Sequence, residues 1–340
     1  MPERSRNRTR LRTIEDLYQV KSDCITKRNK SHLNFVSGFD IQGAGFTATG
    51  YNASGGIQSQ VIDKFNFNTE TCAALSAAIT LGRSAGIGAT SRLKGFITGG
   101  YTGQGGVASY ATIEQVQYLS ETWGTMTATL ATARANVGSF WSPENMYIFG
   151  GNTSTGTYYD EIDGMRISSE TSINPAASLS ALRASVAGLQ TEFVGYACGG
   201  YVTSPTAGPV DTVERFLFSN ESISASSHTL PIATRMMTPV CSSIKGYLMG
   251  GYTSTKVNTI KTLNFSDETT AQISATLSKA KYVAGGVFNS VLGYMMGGYT
   301  TTLTADIQGI RYSDETIIDP TAALSQARHS PCCMSCLFNT

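Results

Sequence analysis

Apolar residues in this chain come in short runs that stop at glycine, and six of these runs are near copies of one another. They read GFTATGY (Gly45–Tyr51), GFITGGY (Gly95–Tyr101), MYIFGGN (Met146–Asn152), GYACGGY (Gly195–Tyr201), GYLMGGY (Gly246–Tyr252) and GYMMGGY (Gly293–Tyr299). The second glycine of each falls at 50, 100, 151, 200, 251 and 298, a period close to fifty residues. A short apolar run bounded by turn residues predicts a covered strand. Recurrence at this period predicts a stack or ring of small sheets.

Two further patterns complete each unit. The first is KFNFNTET (Lys64–Thr71), VQYLSET (Val116–Thr122), MRISSET (Met165–Thr171), FLFSNES (Phe216–Ser222), LNFSDET (Leu263–Thr269) and IRYSDET (Ile310–Thr316). Apolar and polar residues alternate there and then stop at Ser, Asn or Asp, as in a half-buried strand entering a turn. The second is LGR (Leu81–Arg83), LATAR (Leu130–Arg134), LSALR (Leu179–Arg183), LPIATR (Leu230–Arg235), LSKAK (Leu277–Lys281) and LSQAR (Leu324–Arg328), followed by small-residue stretches such as YVAGGVFNS (Tyr282–Ser290). Each unit thus predicts four strands: a after the Arg, b ending in the glycines, c ending in the S-x-E-T turn, and d ending in the Arg. No 3.6-residue period is long enough for paired helices. Four antiparallel strands make one twisted sheet, and six sheets set radially protect their edges by repetition. Glycines at the end of strand b fit a positive φ or a close backbone approach.

The combination of glycine pair, following tyrosine, apolar strand, turn and Leu-x-x-Ala-Arg resembles kelch repeats, over Asn34–Thr340. The tryptophan usual on strand d of kelch units is present only as Trp123, so the units resemble a divergent subtype. Their wording, GYxxGGYT…FSDET…LSxAR, is similar to that of virion proteins of tailed phages, especially marine and cyanobacterial ones. The resemblance implies an all-β, six-bladed kelch-like β-propeller over residues 34–340, with four-stranded blades, preceded by a basic N-terminal arm over 1–33. It further implies a non-enzymatic structural and recognition module of a virion, made in the host cytoplasm: part of a tail fibre, spike or surface decoration. Other virion proteins and host surface glycan are the partners it implies. A cytoplasmic kelch adaptor for an acidic peptide and a mutarotase-like sugar enzyme are the alternatives. Ring closure needs one blade built from both ends of the chain. Ser330–Phe338 is expected to supply strand a for the blade that begins at Gly45, with Phe35–Ile41 as the other candidate.

In an up-down-up-down blade the b–c and d–a connections share one face. That face is expected to carry Arg83, Arg134, Arg183, Arg235, Lys281 and Arg328 beside Tyr51, Tyr101, Tyr201, Tyr252 and Tyr299, with Asn152 as the exception. Kelch propellers commonly bind acidic peptides or ligands at such positions, so the resemblance implies that these residues bind an anion or an acidic segment. Convergent cations steer anionic partners, and Tyr with Arg is typical of binding hot spots. The competing role for each Arg is structural: pairing with a carboxylate of a neighbouring blade. The longest b–c loops, Thr102–Ala111 and Val202–Asp211, lie on the same face and suit carbohydrate or peptide contact. The opposite face is expected to receive Glu70, Glu121, Glu170, Glu221, Asp267, Glu268, Asp314 and Glu315, as turn formers rather than metal ligands.

Charge is uneven. Residues 1–34 hold nine Lys/Arg, among them Arg4, Arg6, Arg8, Arg10 and Arg12, against four acids, although the whole chain has a net charge of only +1. This reads as an arm that docks to an acidic protein surface, with a solvated leader as the alternative, and with a short helix around Thr13–Lys21. No aromatic residues interleave the arginines, which disfavours nucleic acid as a partner. No apolar run is long enough for a transmembrane helix, so no membrane insertion is expected. The seven cysteines form no secreted framework. Cys333 and Cys336 would point to opposite faces of a strand, so no metal or other cofactor is expected there. With three histidines (His32, His228, His329) and no nucleophile–base grouping, no catalytic residue is assigned. Asp160, Glu161, Glu214 and Arg215 are read as blade-edge residues.

Overall fold

A computed structural model describes residues 43–52, 57–103 and 106–336. The basic arm with Arg4, Arg6, Arg8, Arg10 and Arg12, the helix expected at Thr13–Lys21 and the strand candidate Phe35–Ile41 all lie outside the described residues. Those described are all-β, with no helix among them, and hence none long and apolar enough to cross a membrane.

Six four-stranded antiparallel sheets are present, each ordered a-b-c-d. The second, for example, comprises Ile87–Thr90, Lys94–Thr98, Thr112–Gln117 and Thr122–Thr129. In the third, Gly138–Trp141 is strand a and Asn145–Phe149 strand b. The first sheet takes strand a from the far end of the chain: Cys332–Ser335 pairs antiparallel with Ala44–Ala48, Gly45 opposite Ser335 and Ala48 opposite Cys332. Strands b are buried along nearly their whole length, and Val194–Cys198 along all of it, whereas strand d at Thr71–Ala78 mixes exposed and half-buried positions. The apolar core therefore lies between sheets and toward their inner strands. There Phe65 meets Tyr294 edge-on at 4.7 Å, and Phe140 packs on Phe216 at 5.1 Å.

The inner strands touch in sequence. Cys332–Ser335 packs on Ile87–Thr90, and the series continues through Gly138–Trp141, Ala187–Gln190, Thr238–Cys241 and Gly285–Phe288 back to Cys332–Ser335. This is a propeller-like arrangement. At Gly188 the approach is so close that a Cβ would sit 1.7 Å from the Ser139 carbonyl oxygen, which no side chain tolerates. Two residues ahead of these strands, Ala85, Asn136, Ser185, Met236, Val283 and Ser330 all adopt left-handed backbone, φ between 50° and 57°. That conformation turns their amides sideways. Asn136 N–H donates to Ala85 O, Ser185 to Asn136, Met236 to Ser185, Val283 to Met236, Ser330 to Val283, and Ala85 to Ser330. Six hydrogen bonds thus return to their starting residue.

A second set of contacts joins neighbouring sheets at the opposite end. Glu70, Glu121, Glu170, Glu221, Glu268 and Glu315, in the c–d turns, also have left-handed backbone. Each carboxylate reaches the preceding sheet. Glu221 accepts from Tyr147 Oη at 2.9 Å, Glu268 from Tyr196 at 3.3 Å, Glu315 from Tyr247 at 3.4 Å and Glu70 from Tyr294 at 2.7 Å. Where strand b carries Phe46 or Phe96 instead of tyrosine, a lysine substitutes: Glu121 pairs with Lys64, and Glu170 with Lys94. The acids expected only to shape turns therefore also bridge sheets. The turn role falls to Asp267 and Asp314, whose Oδ1 atoms accept the amides of Thr269 and Thr316.

Candidate binding face

The glycine pair sets the geometry of the other end. In GYLMGGY, Gly250 has φ +62° and Gly251 φ +105°, conformations that disfavour any side chain. A Cβ on Gly250 would also meet the Lys281 carbonyl oxygen at 2.4 Å, and Gly251 N–H donates to that same oxygen. The pair thus clasps the linker from strand d to the next strand a, and the tyrosine that follows is delivered beside that linker.

Tyr51 bridges to His329, Tyr101 to Ser84, Asn152 to Ala135, Tyr201 to Ala184, Tyr252 to Arg235 and Tyr299 to Tyr282. All six residues after the glycines are half-buried. Several make a continuous arc. His329 stacks on Tyr51 at 5.2 Å and meets Tyr299 edge-on at 6.2 Å; Tyr299 contacts Tyr282 at 5.7 Å, and Tyr282 contacts Tyr252 at 5.2 Å. The Arg235 guanidinium lies 5.2 Å from the Tyr252 ring centroid and 4.5 Å from that of Tyr201. Tyr158 continues the series at 6.3 Å from Tyr201. The remaining sector is polar: Tyr101 Oη accepts from Asn152 at 2.7 Å, and Asn136 donates to Asn152 Oδ1 at 2.9 Å. Burial pushes the Tyr158 and Tyr282 hydroxyls up, with Arg235 opposing the shift in both. Burial lowers His329, which is therefore neutral near pH 7.

Inside the arc opens an axial cavity of about 120 Å³, its mouth ringed by the left-handed residues from Ala85 to Ser330. At its far end Trp141 of the third sheet stacks on Phe288 of the sixth, 6.2 Å between centroids.

The cations expected on this face are mostly elsewhere. Arg83, Arg134, Arg183, Lys281 and Arg328 have exposures of 0–1 %. Each guanidinium turns inward onto strand c of the sheet that follows it. Arg83 bonds Glu114 at 2.8 Å and the Gly99 carbonyl at 2.9 Å. Arg134 bonds Asp163 at 2.7 Å and the Gly150 carbonyl at 2.8 Å. Arg183 pairs with Glu214, and Arg328 with Asp63. A long side chain that leaves water must bring its charge to a partner, and strand c provides one. The expected solvent-facing cation ring is thus a set of buried clamps, the pairing role rather than the ligand-facing one. Lys281 lacks a carboxylate partner of this type, since Gln308 occupies the matching position. Its Nζ donates to the Asp306 carbonyl at 3.2 Å, and burial lowers its pKa to about 8.

Arg235 is different because it is not the counterpart of the other five. Gly200 N–H donates to the Thr234 carbonyl, as Gly100 N–H does to that of Arg134. Thr234, fully buried, fills the clamp position, and Arg235 aligns with Ser84, Ala135, Ala184, Tyr282 and His329. The carboxylate position opposite is Lys261, also fully buried, with burial lowering its pKa to about 8. Reading the motif by its terminal Arg slipped the register by one residue. Counting four residues from the buried Leu230, as from Leu130 to Arg134, leads to Thr234. The same count begins at the buried Ile79, not Leu81, for Arg83. Tyr282, His329 and Tyr158 were missed; the column one residue past the Arg held the signal for the first two.

Other expected residues are accounted for by packing. Glu214 is buried on strand c rather than at a sheet edge, Glu161 supports Arg134 at 3.1 Å, and Arg215 pairs with Glu268 at 2.9 Å. Cys332, Met334 and Cys336 enter one core cluster while Cys333 faces another, the alternation of a strand. Burial raises the Cys333 and Cys336 thiols to about 12.

The chain matches no protein-family model and no curated protein sequence.

Proposed function

We propose that this chain is a six-bladed, kelch-like propeller that serves as a non-enzymatic structural and recognition module of a phage particle, in a tail fibre, spike or surface decoration. The basic arm docks it to a neighbouring virion protein, and the tyrosine-bearing face contacts host glycan or another virion protein. The observation that carries the recognition role is the half-buried aromatic arc from Tyr51 to Tyr158. Partly exposed tyrosines held on a rigid frame give contact area at low entropic cost. Support for six closed blades comes from the hydrogen-bond cycle through Ala85 and Ser330 and from the shared first sheet. The virion assignment rests on the wording of the repeat.

The reading as an adaptor for acidic peptides is weakened, because four of the six expected cations are already neutralised by Asp63, Glu114, Asp163 and Glu214. Those same carboxylates are engaged and so are poor candidates for the acid/base pair a mutarotase needs.

Rate-zonal sedimentation of native source material, with detection of this chain, tests the virion assignment. Co-migration with a megadalton particle is the expected result. Recovery only near its own 36.1 kDa overturns it.

A further inference from the structure

Arg235 is the one member of the expected cation set that reaches the aromatic arc, and its charge has no counter-ion. Among the described residues its side chain makes no ion pair and no hydrogen bond, and its Nε is buried without a partner. Its guanidinium lies over two rings, Tyr201 at 4.5 Å and Tyr252 at 5.2 Å. Ring faces hold a guanidinium in place and leave the edge that carries its N–H donors unused. A planar fork with free donors matches a carboxylate with two parallel hydrogen bonds.

The arc supplies the second half of the recognition. Tyr252, Tyr282 and Tyr299 continue from Arg235 in successive contact, and His329 beyond them is uncharged near neutral pH. Lys256, the residue that bridges to Tyr252, donates its ammonium to the Thr300 carbonyl at 2.9 Å. Neither side chain has a carboxylate partner among the described residues, but Arg235, unlike Lys256, also lacks a hydrogen-bond acceptor, and several tyrosine rings follow it. A peptide rich in Asp and Glu needs a cation for each acid. A saccharide bearing a single carboxylate on one sugar, with apolar faces on the next ones, needs what this arc provides.

We infer that Arg235 binds the carboxylate of an acidic sugar, a hexuronate or a nonulosonate, in a glycan whose neighbouring sugars lie along Tyr252, Tyr282 and Tyr299. This deepens the recognition role proposed above and rests on it. The charge arrived here by a one-residue displacement: Thr234 vacates the buried clamp, Lys261 occupies the opposing position, and the guanidinium is released to the face.

The full chain is applied to an array of oligogalacturonates, alginate oligosaccharides and sialylated oligosaccharides, each printed beside its carboxyl-reduced counterpart, together with poly-glutamate peptide. The expected result is binding to at least one acidic glycan, a loss of at least tenfold on carboxyl reduction, and the same loss in Arg235→Met. Melting of the variant within a few degrees of the parent verifies its fold; if Arg235→Met does not fold, Arg235→Lys serves, with partial loss expected. Equal binding of acidic and reduced glycans, or unchanged binding by Arg235→Met, overturns the inference and leaves the recognition role standing. Binding of poly-glutamate with no glycan overturns the inference and favours a peptide ligand. Silence across the whole array also overturns it.

Discussion

Thr234 and Lys261 stand at the two positions that Arg134 and Asp163 fill two sheets earlier. Both are fully buried, and among the described residues the Lys261 ammonium donates a single hydrogen bond, to Thr259 Oγ1 at 3.3 Å. A buried charge with one weak partner costs stability. Replacing it with Met should raise stability at pH 7 by about 1–2 kcal/mol, read from urea denaturation. Folding lowers the Lys261 pKa from 10.5 to about 8. Between those values the unfolded chain holds a proton that the folded chain releases, so this lysine makes stability rise with pH across that window. The advantage of Lys261→Met should therefore shrink steadily from pH 8 toward pH 10. A constant difference between the two proteins across that range would contradict the assignment.

Arg134 and Arg235 should respond to the same change with losses of very different size. Arg134→Met strands Asp163 in the interior and should cost about 3–5 kcal/mol. Arg235→Met gives up two ring contacts and should cost about 1 kcal/mol. Equal losses in chemical denaturation would mean that the clamp and face positions had been confused.

Tyr294 and Glu70 join the sixth sheet to the first. Burial and the adjacent Glu70 carboxylate both push the Tyr294 hydroxyl up, so it remains a donor at neutral pH. Tyr294→Phe should cost about 1 kcal/mol. In a background already carrying Glu70→Gln the cost should be smaller, and a double-mutant cycle measures the coupling.

Removing residues 329–340 takes away strand a of the first sheet and leaves Ala44–Ala48 with an open edge. Loss of cooperative thermal unfolding and self-association are expected, read by calorimetry and light scattering. A synthetic peptide spanning 329–340 should restore a monomeric, cooperatively melting species.

Strand order was legible because the period of fifty residues and the alternation in stretches such as Val116–Thr122 each constrain backbone directly. Turn conformation was legible at the glycine pairs, where φ itself selects the residue. Side-chain destination was not. Arg134 at a strand end looks the same in sequence whether it meets solvent or Asp163, because the two residues are far apart along the chain and meet only across strands. Thr234 was obscured by an arginine one position later, although the four-residue count from Leu230 and the carbonyl that Gly200 uses both place it at the clamp position. The arc was partly visible as tyrosines after glycines. Its other half, Tyr282 and His329, comes from a column whose residues otherwise include Ser84 and Ala135 and so carries no obvious type.

The pairing of Ala44–Ala48 with Cys332–Ser335 has a consequence in time. A ribosome finishes the outer three strands of the first sheet, at Ala78, about 250 residues before it begins the inner one at Cys332. Throughout that interval the nascent chain holds an apolar edge that any extended segment could occupy, including one from another ribosome on the same message. Contacts this distant along the chain form slowly. Cys332–Ser335 thus acts as a lock, and translation that stops short of it leaves the edge at Ala44–Ala48 unpaired.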